Sequence, residues 1–99
     1  MKQIEKEQLF QEMREVCSDV GYLLRIEKGD FRGGHCILKQ EKILLINRRL
    51  SLEARLTSLA RTLGEMDLDT VYVKPAVRQF IEHETSKITT TAVQGESGL

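Results

Sequence analysis

The chain has 99 residues, 40% of them hydrophobic and 30% charged, and its 15 basic and 15 acidic side chains leave a formal net charge of zero. Such a length holds one small domain, and a zero balance excludes a global field drawing the molecule to nucleic acid or an anionic membrane. Two cysteines, an N-terminal stretch without an apolar signal core and a longest apolar run of only Ile43 to Ile46 argue against a disulfide scaffold and a membrane span. They predict a cytoplasmic protein with reduced thiols.

Ile4, Leu9, Phe10, Met13, Val16, Cys17 and Val20 recur at helical spacing with charged residues between them. This predicts a first helix over Ile4 to Val20, stopped by Gly21, which takes the left-handed cap without penalty. Cys17 falls on the apolar side of that helix, as a packed thiol does. Tyr22 to Glu27 alternates apolar and polar side chains and predicts a half-buried strand, followed by turn chemistry at Lys28-Gly29-Asp30.

After Gly33 and Gly34 a second strand is predicted over His35 to Lys39. Cys36 and Leu38 share one of its faces, and His35, Ile37 and Lys39 share the other. Gln40-Glu41-Lys42 is short enough for a hairpin turn. The strand that follows, Lys42 to Asn47, is apolar without a break from Ile43 to Ile46, which suits an interior strand covered on both faces.

Ser51 is a good N-cap for a helix carrying the apolar stripe Leu52, Leu56, Leu59, Ala60, Leu63 and Met66, with Arg55 and Arg61 away from its centre. Val71 to Val73 is a candidate fourth strand. Pro75 opens a short last helix packed through Ala76, Val77, Phe80 and Ile81. From Ser86 the sequence turns polar and predicts a flexible tail over 86–99, beyond a single domain spanning 1–85. The expected fold is α+β: a three- or four-stranded, mainly antiparallel sheet packed by about three helices, in the order α-β-β-β-α-(β)-α.

Three constellations bear on chemistry. Cys36 follows two glycines and adjoins His35, but neighbours on a strand point to opposite faces, so His35 is badly placed to activate it. His83 can approach only through the tertiary fold. The glycines are explained more simply by a turn or bulge, and the expectation is a buried structural thiol. Metal binding finds no C-x-x-C, no H-E-x-x-H and no paired histidines, and no metal or other cofactor is expected. The third constellation is arginine-rich. From Lys42 to Gly64 there are five basic residues (Lys42, Arg48, Arg49, Arg55, Arg61) against one acidic residue, Glu53, whereas Glu65 to Glu84 holds two basic and five acidic residues. A basic face of this kind meets phosphates, an acidic protein or the acidic half of a second copy. No aromatic residue stands beside the arginines, which disfavours nucleic acid. A solvated helix face, or pairing with the acidic segment of the same chain, is the simpler account.

The segments F-R-G-G-H-C-I-L, I-L-L-I-N, L-x-x-L-A and V-Y-V-K-P-A-V-R resemble a pattern shared by short bacterial proteins of unassigned activity, over most of Phe31 to Ile81. A more distant likeness is to small zincin peptidases, in which a strand ending in asparagine leads to a helix bearing A-H-E-L-G-H. Ala60, Leu63 and Gly64 match that helix, but Arg61 and Glu65 stand at the two histidine positions and Thr62 at the glutamate. The resemblance implies a zincin-like core without its metal ligands or general base, and therefore without peptidase activity.

The resulting expectation is a non-catalytic module that binds a second copy or a protein partner, with no membrane, through the surface around Arg48, Arg49, Arg55 and Arg61. The rival is a cysteine enzyme centred on Cys36 and assisted by His35 or His83. A third option is a small nucleic-acid binder using the same arginines.

Overall fold

A computed structural model describes residues 1–29 and 35–97, with side chains at 1–29 and 36–87. Three helices and three strands follow in the order α1 (Gln3–Val20), β1 (Leu23–Glu27), β2 (His35–Leu38), β3 (Ile43–Asn47), α2 (Leu52–Gly64) and α3 (Pro75–Ser97). The fold is α+β, as the alternation of periods in the sequence predicts.

Local chemistry sets the boundaries. Gly21 closes α1 with φ 102°, and the backbone N–H groups of Gly21 and Tyr22 donate to the carbonyls of Ser18 and Cys17 at 2.9 and 3.0 Å. Those bonds satisfy carbonyls that a helix end leaves open. The Ser51 hydroxyl caps α2 by accepting from the Ala54 N–H at 3.2 Å. Pro75 stands first in α3, which runs on to Ser97 and is longer than the short helix expected.

The strand order is β1-β3-β2, so β3 lies between the other two, as its unbroken apolar run predicts. β2 and β3 form an antiparallel hairpin with Ile37 opposite Leu44, while β1 pairs β3 in parallel with Leu24 opposite Leu44. The sheet is therefore mixed rather than mainly antiparallel. Val71 to Val73 adds no fourth strand: the Val71 N–H turns back to the Leu68 carbonyl, and Val73 is drawn into the core. It anchors the connection between α2 and α3 instead.

All three helices contribute to one core. Met13, Val16 and Cys17 of α1, Leu59 and Leu63 of α2, and Val77 and Ile81 of α3 close over Leu24, Leu44 and Ile46 of the sheet. Ion pairs tie the helices from outside, Lys6 to Glu53 between α1 and α2 and Lys74 to Glu12 beside α3, each at 2.6 Å. Hydrogen bonding to Lys6 holds the Glu53 carboxyl below its usual range. Hydrogen bonding to Glu12 raises the Lys74 ammonium above its own.

Candidate interaction surface

The period of a strand sends alternate side chains to opposite faces of a sheet. Leu24, Ile26, Ile37, Leu44 and Ile46 all turn toward the helices and join or abut the core. The partners in register then place Leu23, Arg25 and Glu27 of β1, Ile43, Leu45 and Asn47 of β3, and Cys36 and Leu38 of β2 on the reverse face. None of these eight belongs to the core or packs against it. Among the described residues no element covers that face. Leu23 is 59% exposed, while Cys36, Leu38, Ile43 and Leu45 are half-buried.

The face has a polarity along the strands. Leu23, Ile43 and Leu38 form an apolar row at one end, Arg25, Leu45 and Cys36 form the middle row, and Glu27 and Asn47 close the other end. Arg25 and Glu27 are ion-paired at 3.2 Å at the β1 edge. Asn47 is a structural tie: its Nδ2 donates to the Gly29 carbonyl at 3.1 Å, and its Oδ1 accepts from the Arg49 N–H at 3.0 Å. It thereby joins the exit of β1 to the turn that leads into α2.

The four arginines do not form one patch. Arg55 turns inward on its own turn, where Nε donates to the Leu50 carbonyl at 3.1 Å and a terminal nitrogen donates to the Arg48 carbonyl at 2.8 Å. Arg61, two turns further along α2, faces Glu84 of α3, with Nε 4.0 Å from a carboxylate only 6% exposed. Lys87 approaches the other oxygen of that carboxylate at 3.1 Å. This is the pairing between basic and acidic segments of one chain that the local charge imbalance suggested. Arg48 and Arg49 remain exposed, Arg48 with a long 3.4 Å contact to the Ile26 carbonyl.

Cys36 and His83 are not brought together. Cys36 is half-buried rather than fully buried, because β2 is an edge strand and its residue 36 faces away from the helices. His83 is exposed on α3 and lines a groove of about 490 Å³ with Leu9, Glu12 and Phe80. That groove lies on the helical side of the sheet, opposite Cys36. The side chain of His35 lies outside the described residues. Cys17 is buried and donates to the Tyr22 carbonyl at 3.6 Å, the packed thiol that its helical position predicts.

No group of three or more His, Cys, Asp or Glu side chains placed to hold a metal ion occurs among the described residues. No described helix is long and apolar enough to cross a membrane. In comparisons with known proteins the chain matches no family model, no curated protein and no solved structure.

Proposed function

We propose that the chain is a non-catalytic interaction module that binds protein through the helix-free face of its sheet. One observation carries this reading. β3 is apolar on both sides from Ile43 to Ile46, yet the helices cover only the side of Leu44 and Ile46. Apolar side chains gathered on a sheet face that no described element covers, with Leu23 exposed, suit an interaction site. Arg48 and Arg49 flank the surface as its polar margin, whereas Arg55 and Arg61 are engaged within the fold. Free thiols at Cys17 and Cys36 suit action in the reducing cytoplasm.

The competing chemistries have less support. A cysteine nucleophile needs a base within reach, and His83 stands on the other side of the sheet. The zincin likeness brings no metal chemistry, because the matching positions carry Arg61, Thr62 and Glu65. The Thr62 hydroxyl donates to the Ser58 carbonyl at 2.8 Å and Arg61 faces Glu84.

The test is photo-crosslinking in cells of the native host, with a benzophenone amino acid at position 45 and controls at exposed positions 11 and 49. A discrete adduct from position 45, lost in a Leu23→Lys background, is the expected result. An adduct from position 49 alone would transfer the function to the arginine turn. The absence of any adduct would remove the interaction reading.

A further inference from the structure

We infer that the groove between α1 and the start of α3 seats a basic amphipathic helix from a partner protein. This site lies on the helical side of the molecule and does not depend on the open sheet face.

The spacing along α1 builds one wall of the groove. Glu5, Gln8, Glu12, Glu15 and Asp19 recur at alternating steps of three and four residues, which aligns them along one side of the helix. Glu5, Gln8 and Glu12 line the hollow of about 490 Å³ that His83 also borders, and Glu12, Glu15 and Asp19 line a further one of about 100 Å³. The two hollows meet at Glu12 and follow α1. From Glu5 to Asp19 the wall is about 21 Å long at the helical rise per residue.

The floor is apolar. Leu9 and Val16 of α1 form it with Val77 and Phe80 of α3. Met1 stands exposed at one end of the groove, and Tyr72 stands exposed at the other. Anchors from an occupant therefore find apolar surface along the whole run.

Charge decides which occupant such a floor accepts. Four carboxylates line the groove, against Lys74 and the Met1 amine. Lys74 is already held by Glu12 at 2.6 Å, and Glu5 and Asp19 form no ion pair among the described residues. An acidic occupant would set like charges together, and a purely apolar one would desolvate carboxylates without pairing them. A small polyamine would pair them and leave the floor bare. Lysine or arginine flanking apolar anchors answers both surfaces at once. The length and straightness of the wall fit a helix of about 14 residues laid alongside α1, its anchors at i, i+3, i+4 and i+7. The same carboxylates repel nucleic acid and anionic membrane.

The experiment is fluorescence anisotropy of a labelled synthetic helix of about 14 residues, leucine on one face and lysine on the other, titrated with the purified full chain. A counterpart with glutamate for lysine and unlabelled spermine as competitor run beside it. The lysine helix is expected to bind at micromolar concentration and to weaken as salt rises from about 50 mM to about 500 mM. The glutamate helix should bind at least roughly tenfold more weakly, and spermine should not displace the lysine helix.

Two changes at exposed positions locate the site, with circular dichroism checking each fold. Ala76→Trp fills the groove, and Glu5→Lys with Asp19→Lys reverses its charge; each should weaken binding at least roughly tenfold. Glu7→Lys with Glu41→Lys makes the same change in net charge outside the groove and should leave binding unchanged. Leu23→Lys, on the open sheet face, should also leave it unchanged. No binding, equal binding of the glutamate helix, or full displacement by spermine would overturn the proposal. So would equal loss from both charge-reversed pairs, which means attraction without a site. Loss with Leu23→Lys but not with Ala76→Trp would overturn it too, by moving the helix to the sheet.

Discussion

Cys17 shows what a single buried group does to the stability of this chain. Burial pushes its thiol from an ordinary value of 9.0 up to about 11, with the nearby Arg14 guanidinium pulling weakly the other way. The folded state therefore holds that proton more tightly than the unfolded chain does. Its contribution is fully present below about pH 9 and is lost as the pH rises toward 11. Urea unfolding at pH 8 and pH 10.5 should show the unmodified chain losing more stability than Cys17→Ala, so that the gap between them narrows. A parallel pair of pH curves would mean that the thiol is not excluded from its charged form. The position of this thiol was legible because residues at helical spacing from Leu9 to Val20 fix which side of α1 is apolar. Cys36 was not legible in the same way. Strand alternation separated it from His35, but only the pairing partners say which face of the sheet the helices take.

At the scale of elements, α2 and α3 pack closely at Gly64. A methyl group on that residue would run into the Thr85 hydroxyl, which is itself fixed by its bond to the Ile81 carbonyl at 2.8 Å. Alanine improves helix propensity by about 1 kcal/mol, and overpacking a fixed contact costs about 1–3 kcal/mol. Gly64→Ala should therefore lower stability by roughly 1 kcal/mol, and should lower it less when Thr85→Ala is already present. Chemical denaturation of the four-member cycle measures this directly. A stabilising Gly64→Ala would show that the helices do not touch there. Gly64 matches the zincin-like helix pattern in the sequence, whereas in the fold its role is contact between neighbours. Helix ends were readable because caps are local: Ser51 and Gly21 each act within a few residues. The fate of Arg55 and Arg61 was partly readable from charge imbalance, but charge counts carry no direction. Arg55 serves its own turn, and only Arg61 crosses to the acidic helix.

On the scale of the whole molecule, the sequence pointed to β3 as an interior strand and the fold agrees, but the two-sided apolar run predicted cover on both faces. The helices supply one cover, and the unmet half of that expectation is what directs attention to the open face. Strand pairing was less legible, since short apolar strands look alike whichever neighbour they choose. The parallel match of β1 to β3, reached past β2, joins residues 20 positions apart, as in Leu23 with Ile43. The β2–β3 hairpin, by contrast, closes over a four-residue turn from Lys39 to Lys42. This difference orders events in time. Loop closure makes distant pairings slow to form, so the hairpin and α2 assemble first and the α1–β1 unit docks late. Leu44→Ala should then mainly slow refolding, while Leu24→Ala should mainly speed unfolding, as stopped-flow chevrons would separate. The reverse pattern would mean that the N-terminal unit leads. On a ribosome the same order leaves the first part of the chain to emerge without its sheet neighbour, waiting on residues made some 20 positions later.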